Sequence, residues 1–490
     1  MPNSTTDPRP LMLVFGASGY IGSNLVPALL AAGARVRAAA RNRNVLEARE
    51  WPGAELVAAD ALAPDSLPAA LEGVDTAYYL VHSMASGRRF GHLDLVAAGN
   101  FADAAARAGV RRIVYLGGLV PPGARSEHLL SRKETGDRLR AGTVPVTEIR
   151  AGVIVGAGSA AYEVIRDLVY HLPVMVTPKW VRSKSSPIAL SNLLEYLLRV
   201  PALPETAGRT YDVAGPDYLS YAQLMRQFGE IVGRTPRIVA VPVLTPTLSS
   251  YWLGLITAVP ASIAKALIQG LKHDIPADDA EMRRLVPQRL LSFRESVIAA
   301  LDAERSNAVA ARWTEGVLMF RGYREDYAYY AKRASGSAET AASPAAVWKV
   351  ATSLGGDTRY FYMDWIWTIR ETLDFLAGGP GFTRGRRDPY ELRLGDTSDY
   401  WTVVGLEPGR RLTLDFGLKA PGAGILEIEV EPTTAGRTRI TITAYFHPQG
   451  FWGLLYWLVL MPFHLFIFKG MTREIARRAE ALDAKARRPG

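Results

Sequence analysis

The chain has 490 residues, of which 48% are hydrophobic and 21% charged, a composition typical of a globular protein with roughly three domain-sized units. Lysine and arginine number 57 against 48 acidic residues, and the resulting net charge of +9 favours anionic ligands or an anionic membrane surface. Zero cysteines exclude disulfides and thiolate metal sites, the seven histidines lack metal-site spacing, and no dense basic row interleaved with aromatics points to nucleic acid.

The first predicted element is a buried strand that runs directly into a glycine-rich loop, LMLVFGASGYIG, at residues 11–22. Gly16 permits the tight turn, Gly19 lets backbone N–H groups approach a pyrophosphate, and Gly22 lets the next helix pack close to the strand. The helix N-terminus then faces the anion. We therefore expect a cofactor site rather than an ordinary loop, formed by Gly16, Ser18, Gly19, Tyr20, Ile21 and Gly22.

The second and third predicted strands, ARVRAAA and AELVAAD, carry the residues that select the cofactor. The second strand ends at Arg41 without an acidic residue, and an arginine there can pair with a 2′-phosphate, which predicts NADP(H) and leaves NAD(H) as the second choice. The alternative for Arg41 is a solvated surface arginine. Asp60, at the end of the third strand, either accepts from an adenine amino group or fixes a turn.

The fourth and fifth predicted strands, VDTAYYLVHSM and RRIVYLGGLV, complete the first half of a sheet and place His82 in the loop after the fourth. Strands that alternate with helices in this way predict an α/β fold, a Rossmann-like doubly wound parallel sheet with ligands at the carboxyl ends of the strands. A histidine there could act as a general acid, or it could be structural.

Four features together, GASGYIG, Arg41, the turn at Asp60 and TEIRAGVIVGAGS at residues 147–159, resemble an atypical, extended short-chain dehydrogenase/reductase of the NmrA-like kind. The resemblance covers residues 1–235 and implies an NAD(P)-binding oxidoreductase. Active members carry a serine after the fifth strand and a Tyr-x-x-x-Lys motif; the serine position here falls on Gly117 or Gly118.

The register of the lysine motif is open between two alignments. If Lys133 is the family lysine, Leu129 stands in place of the tyrosine; a shift by one residue gives His128 and Arg132 instead. The phenol is absent in both. The resemblance makes Lys133 the carried-over catalytic candidate, with His128 or His82 as the acid.

The segment from Tyr162 to about Pro236 reads as the completion of this domain, with Trp180, Arg182 and Ser186 as lid residues. The alternative for Trp180 is ordinary packing. Residues 236–333 read as a helical extension and linker. An apolar stretch at 244–259 is interrupted by prolines and is too short to cross a membrane.

The composition changes near residue 334, which indicates a second domain at residues 334–490. This domain begins with a helix pattern (ASPAAVWKV), continues with short strands and ends with a long apolar helix. This order resembles the START-like (SRPBCC, helix-grip) family, which implies an apolar ligand held between a curved sheet and the last helix. Aromatic residues could line such a cavity or form an ordinary core; they are Trp365, Trp367, Trp401, Phe446 and Trp457.

The most apolar segment begins at Phe451 and ends at Phe468, carries no formal charge over 18 residues and is followed by Lys469 and Arg473. That pattern suits a membrane anchor. Pro462, His464 and a length of about 27 Å favour a buried or interfacial helix. Since no signal-like segment is present near the N-terminus, we expect a cytoplasmic protein, with association at the inner face of the cytoplasmic membrane as the alternative.

The sequence thus predicts an NADP(H)-dependent oxidoreductase acting on a small apolar acceptor, a quinone or a lipid-like carbonyl. The alternative is a non-catalytic NADP(H)-binding redox sensor or assembly factor that binds an apolar ligand or a membrane surface. The missing serine and tyrosine favour this alternative.

Overall fold

The computed structural model describes residues 9–82, 90–121, 123, 127–241, 273–306, 309, 331–379, 386, 388, 391–434 and 436–486. The chain divides into two compact units, Met1–Gly316 and Val317–Gly490. Each unit is described by itself below.

The N-terminal unit alternates strands and helices along its first half. Its strands are β1 (Leu11–Phe15), β2 (Arg35–Ala40), β3 (Ala54–Ala58), β4 (Thr76–Tyr79), β5 (Arg112–Gly118), β6 (Val146–Ala151), β7 (Ile154–Val155), β8 (Val174–Pro178), β9 (Lys184–Ser185), β10 (Ile188–Ala189), β11 (Thr210–Val213), β12 (Leu219–Ser220) and β13 (Arg237–Val241). Its helices are α1 (Tyr20–Ala31), α2 (Arg43–Glu47), α3 (Leu67–Leu71), α4 (Phe90–Arg107), α5 (Glu127–Arg140), α6 (Ala160–His171), α7 (Leu190–Arg199), α8 (Tyr221–Ile231), α9 (Ala280–Leu285) and α10 (Phe293–Arg305).

In the described part of this unit, seven strands form one parallel sheet in the order β11-β6-β5-β4-β1-β2-β3. β1 lies between β2 and β4, so the strand order reverses at β1. In open α/β sheets a ligand crevice forms outside the carboxyl ends of the strands at such a switch point. The prediction of a Rossmann-like doubly wound sheet is confirmed. A ligand crevice is therefore expected at the carboxyl ends of β1, β4 and β5.

Both faces of the sheet are covered, which explains why its central strands are apolar throughout. On one face Phe15, Tyr79 and Phe101 of α4 pack together, with ring centroids 4.9–5.9 Å apart. On the other face Leu25 of α1 and Tyr196 of α7 cover Val14 and Tyr78. Helices on both sides hold the strand ends in fixed positions around the switch point.

The residues after position 235 begin with β13, which pairs in parallel with β8 in a small separate sheet. Helix α10 packs against α8. The predicted apolar stretch at 244–259 and most of the predicted linker lie outside the described residues.

The C-terminal unit contains an antiparallel sheet and a long last helix. Its strands are β14 (Lys332–Thr340), β15 (Thr397–Ser398), β16 (Trp401–Glu407), β17 (Arg411–Phe416), β18 (Gly422–Pro432) and β19 (Thr438–Pro448), and its helices are α11 (Pro344–Ala351), α12 (Asp364–Leu376) and α13 (Gly450–Ala486). Within the described ranges the strands follow the order β14-β19-β18-β17-β16-β15. The predicted order of helix, antiparallel strands and long apolar helix is confirmed.

The aromatic residues predicted to line a cavity in this unit separate into two groups. Trp367, Trp401, Phe446 and Trp457 are each at most 5% exposed, and they border a cavity of about 40 Å³ between the sheet and α13. Trp365 is exposed and borders a larger open groove of about 260 Å³ between α12 and α13, which Trp367 also reaches. The cavity under the sheet is thus nearly filled by the core, whereas the groove is open.

Candidate functional site

The glycine loop leaves the end of β1 in a sharp turn that only glycine adopts easily. Gly16 has φ +94°, and its N–H and that of Ala17 both donate to the carbonyl of Ala39 in β2. A Cβ on Gly16 would lie 3.1 Å from the backbone of Leu80, just after β4. The loop therefore sits in the crevice between the ends of β1, β2 and β4.

Gly22 brings helix α1 against this loop. A Cβ there would lie 2.5 Å from the carbonyl oxygen of Gly16 and 2.7 Å from Cα of Ala17. The hydroxyl of the next residue, Ser23, donates to the carbonyl of Ala17, which ties the buried side of the helix to the loop. No larger residue fits at Gly22 without moving the loop, as the sequence predicted.

Gly19 leaves the N-terminus of α1 open to an anion. It is the N-cap residue and is exposed, no side chain caps the helix, and its first turn carries no acidic residue. The unsatisfied N–H groups and the positive end of the helix dipole then favour a phosphate at this point. The structure thus fits a dinucleotide pyrophosphate at residues 16–22, the predicted position.

The two arginines after β2 differ in what they contact. Arg43 forms an ion pair with Glu47, with Nε 2.9 Å from Oε1. Arg41 is exposed, and none of the described residues forms a hydrogen bond or ion pair with it. Arg41 therefore can bind an added anion without first breaking an internal pair.

Asp60 fixes a turn after β3. Its Oδ1 accepts from the N–H of Leu62 at 2.9 Å, and its own N–H donates to the hydroxyl of Ser66 at 2.9 Å. Of the two roles that the sequence left open, the turn role is observed. Its other carboxylate oxygen has no hydrogen-bond partner in the described part of the chain.

His82 lies at the carboxyl end of β4 and is held by a buried carboxylate. Its Nδ1 is 2.7 Å from Oδ2 of Asp94 in α4, and the same oxygen accepts from the hydroxyl of Ser131 in α5 at 3.0 Å. Asp94 and Ser131 are both buried. A hydrogen bond from Nδ1 to a carboxylate fixes the ring orientation and makes Nε2 the nitrogen that can exchange a proton with a ligand.

Burial lowers the pKa of His82, and the nearby positive charge of Arg132 lowers it further. The hydrogen bond and negative charge of Asp94 act in the opposite direction. At neutral pH His82 is consequently neutral, and two neighbours of opposite charge control its protonation. This balance is typical of a proton-transfer group, although buried ion pairs in a core produce it as well.

At the end of β5, two side chains from other elements approach the position of the serine that active short-chain dehydrogenases carry. A side chain at Gly117 would collide with Oε1 of the buried Glu148, and one at Gly118 would lie 3.1 Å from Nε of Arg132. The space of the missing serine is therefore occupied by a carboxylate and a guanidinium.

Arg132 occupies the position on α5 that faces these strand ends. Its Nη2 donates to the carbonyl of Leu116 in β5 at 2.8 Å. Lys133, the catalytic candidate that the family resemblance implied, lies on another side of the helix, where its side chain is 58% exposed and pairs with Asp137 at 2.8 Å. The expectation that Lys133 faces the site is not supported by this geometry, because the helix turns about 100° per residue and only Arg132 points to the sheet.

His128, the second alternative acid, belongs to α5, but its side chain lies outside the described residues, as does that of Trp180. The other two predicted lid residues differ from each other. Arg182 is exposed, whereas Ser186 is buried and its hydroxyl lies 3.4 Å from the carbonyl of Ile275.

Tyr115 of β5 brings a phenol close to Arg132, yet it is poorly suited to acid catalysis. Its hydroxyl donates to the carbonyl of Arg132 at 2.9 Å, and burial raises its pKa to about 12. It therefore stays protonated and anchors α5 to the sheet.

Sequence reasoning missed Asp94 and Ser131. Asp94 sits in the apolar pattern HLDLVAAGN, on the face of α4 that packs on the sheet, and a lone acid on such a face was the available signal. Asp94 is twelve residues from His82 in the chain, and the contact between them depends on how α4 packs.

Two parts of the chain match known families. Residues 8–127 match the NmrA-like family, which confirms that part of the resemblance, and residues 326–471 match a family described as "Protein of unknown function (DUF2867)". The START-like resemblance receives no such match, and the C-terminal unit is an antiparallel sheet with helices.

Two curated proteins and one solved structure are similar to the N-terminal part. "Sterol demethylase protein B" of Methylococcus capsulatus is 38% identical over 125 residues, covering 24% of this chain and 38% of that protein. "Ceramide reductase" of Caulobacter vibrioides is 25% identical over 296 residues, covering 58% of this chain and 91% of that protein. The NADPH-dependent quinone oxidoreductase QOR2 of Escherichia coli, solved with NADPH, is 19% identical with a TM-score of 0.50, covering 59% and 98%, and at that identity the likeness shows the fold alone.

Proposed function

We propose that this protein is an NADP(H)-dependent oxidoreductase that reduces an apolar acceptor, with His82 as the proton donor. The observation that carries the proposal is the position of the His82–Asp94 pair beside the glycine loop. The backbone of Leu80, two residues before His82, runs directly against Gly16. A proton donor and a phosphate-binding loop thus share one crevice.

The residues that would hold the cofactor are the open N-terminus of α1 for the pyrophosphate and Arg41 for a 2′-phosphate. The choice of NADPH over NADH rests on Arg41 and on the lack of an acidic residue at the end of β2. When bound, NADPH supplies a hydride to an electrophilic carbon of the acceptor.

The protein's own side chains supply the proton and set the pKa of the group that donates it. Asp94 holds the ring of His82 by Nδ1, and the ring must first take up a proton on Nε2, because it is neutral at neutral pH. Nε2 of the protonated ring then gives this proton to the acceptor oxygen, so that a carbonyl becomes an alcohol or a quinone becomes a hydroquinone. Asp94 stabilises the imidazolium before transfer, and the guanidinium of Arg132 favours the neutral ring afterwards. A quinone demands less of the donor than an isolated ketone does, because its reduced anion is delocalised.

The apolar nature of the acceptor is supported by the names of the curated relatives, which refer to a sterol and to ceramide. A START-like relationship of the C-terminal unit, with its sheet and long helix, would be consistent with the same class of ligand. The acceptor itself stays a proposal.

The experiment begins with fluorescence titration of NADPH and NADH into wild type, Arg41→Ala and Arg43→Ala. Arg43 is the matched control because it is exposed, two residues away and already paired with Glu47. We expect Arg41→Ala to weaken the affinity for NADPH by about tenfold, which is the contribution of one charge-assisted hydrogen bond, and to leave the affinity for NADH unchanged. Equal weakening of both nucleotides, or the same loss in Arg43→Ala, would refute the role of Arg41.

The second step measures NADPH oxidation with a soluble quinone and with a long-chain ketone, in wild type and His82→Gln. We expect acceptor-dependent oxidation that His82→Gln lowers by about two orders of magnitude, the usual contribution of a general acid. Turnover that is unaffected by His82→Gln would remove His82 from the mechanism while leaving the cofactor site intact.

A second candidate is a sensor that holds NADP(H) without turnover. The specific observation in its favour is that Glu148 and Arg132 fill the space of the missing serine at Gly117 and Gly118. A sensor binds NADPH tightly and consumes none with any acceptor, so the same two measurements separate the two functions.

A further inference from the structure

Helix α12 of the C-terminal unit buries acidic side chains and exposes apolar ones, the reverse of an ordinary amphipathic helix. Two of its three acidic residues, Glu371 and Asp374, are buried. Glu371 lies 3.6 Å from Arg359, and Asp374 accepts from the N–H of Lys419 at 2.5 Å. Its exposed face carries large apolar side chains, namely Trp365, Ile369, Leu373, Phe375 and Leu376. The side chains that this helix exposes are therefore those that water solvates least.

The first half of α13 has the same character. Its most apolar window is only 28% buried, so it is not a core helix. Many of its side chains are exposed, and one set of them recurs at intervals of three or four residues: Trp452, Leu455, Val459, Pro462 and Phe466. That spacing places them on one face of the helix.

The two helices border the same open groove, which lies next to both exposed faces. Ile369 and Leu373 of α12 line it from one side, and Leu460 and Phe463 of α13 from the other. An exposed apolar surface of this extent is typical of an interaction site on a soluble domain.

Charge indicates what covers this surface. Along α13 the exposed face continues in the same three- and four-residue steps from Phe466 to Lys469 and Arg473. Neither cation has a hydrogen-bond or ion-pair partner among the described residues. An apolar stripe that ends in unpaired cations matches the acyl region and the anionic headgroups of a lipid surface.

Packing indicates that α13 lies along such a surface and does not cross it. A side chain at Gly453 would collide with the carbonyl of Pro421, and one at Gly336 of β14 would collide with the backbone at Phe468 and Lys469. The helix is thus in backbone contact with its own sheet at both ends of the apolar segment. A transmembrane position would require the sheet to release it.

We propose that the outer faces of α12 and the first half of α13 dock onto an anionic phospholipid bilayer, with the groove between them open toward the acyl chains. This inference uses only residues of the C-terminal unit and does not rest on the proposed function.

The test is flotation of the full-length chain with vesicles of phosphatidylcholine alone or of phosphatidylcholine with phosphatidylglycerol. We expect binding to the anionic vesicles, weakened by salt, and a loss of at least tenfold in Leu376→Glu/Phe466→Glu. The matched control is Leu394→Glu, because Leu394 is as exposed as Phe466, 66% in both cases, and lies outside the two helices. Equal binding of all three proteins would refute the docking surface.

A second measurement does not depend on charged substitutions. Quenching of tryptophan fluorescence by brominated lipids should be larger in wild type than in Trp365→Phe/Trp452→Phe, since both side chains are exposed on the surface. No quenching and no flotation would overturn the proposal. So would a dimer that Leu376→Glu/Phe466→Glu dissociates without affecting vesicle binding, or extraction from cell membranes by detergent only, which would indicate a second copy or a membrane span.

Discussion

Nδ1 of His82 lies 2.7 Å from Oδ2 of Asp94, and this contact joins the loop after β4 to helix α4 at the switch point of the sheet. Asp94 is buried and also accepts from Ser131, so its position is fixed from two sides. The contact places a titratable ring, oriented by a carboxylate, beside the phosphate-binding loop.

The pH dependence of turnover should report His82. Burial and Arg132 lower its pKa below the ordinary value of about 6.5, and Asp94 raises it. Because the protonated ring donates the proton, kcat for acceptor reduction should fall as the pH rises through this pKa. Asp94→Asn should move the midpoint to lower pH and Arg132→Met to higher pH, measured with saturating NADPH. A common midpoint in all three proteins would exclude His82 as the donor.

Arg132 and Lys133 should differ sharply although they are neighbours. Lys133→Ala removes an exposed pair with Asp137 and should cost about 0.5 kcal/mol of unfolding free energy or less, with turnover unchanged. Arg132→Ala removes the hydrogen bond to Leu116 and the charge near His82, and should reduce turnover. Thermal unfolding of both variants separates a loss of function from a loss of fold. A turnover defect in Lys133→Ala alone would restore the family alignment on Lys133.

Gly22→Ala and Gly19→Ala should separate folding from binding. Alanine at position 22 meets the backbone of Gly16 and Ala17 and should destabilise the protein by about 1–3 kcal/mol, as overpacking does. Alanine at position 19 has an ordinary φ of −75° and a single neighbour, Gly16 O at 3.3 Å, so the fold should tolerate it. NADPH binding should weaken in both variants. Titration with NADPH measures the affinity, and chemical unfolding of the same variants measures their stability. Unchanged NADPH affinity in Gly19→Ala would argue against phosphate at the helix N-terminus.

Arg166 should be a stability determinant of the N-terminal unit. It is fully buried, its Nε lies 3.5 Å from the buried Glu304, and the negative charge of Glu304 raises its pKa against the effect of burial. Arg166→Met should cost about 3–5 kcal/mol of unfolding free energy, because it leaves a carboxylate buried without its countercharge. Arg234→Met is the control: that guanidinium also lies over the ring of Tyr170, but it is exposed. Urea unfolding curves of the two variants should therefore differ clearly; similar midpoints would mean that the buried charge is compensated elsewhere.

Local patterns were sufficient for much of the N-terminal unit. The five predicted strands, the glycine loop and the cation after β2 follow from runs of apolar residues, from glycine spacing and from a single charge, all within a few residues of each other. The order of helix, antiparallel strands and long helix in the C-terminal unit was accessible for the same reason. Each of these features depends on hydrogen bonds and burial within one element or between adjacent ones.

Only the tertiary structure decided which of Arg132 and Lys133 faces the sheet, that Glu148 fills the space at Gly117, and that Asp94 holds His82. These relationships join residues from different elements, and a shift of one helix or strand by a single residue would change each of them. The exposed apolar face of α12 is a similar case, because the sequence shows apolar residues but not which side the rest of the unit covers. The sequence by itself therefore determined the elements and the phosphate-binding loop, whereas packing determined the chemistry beside that loop, since side chains distant in the chain meet only when the core has formed.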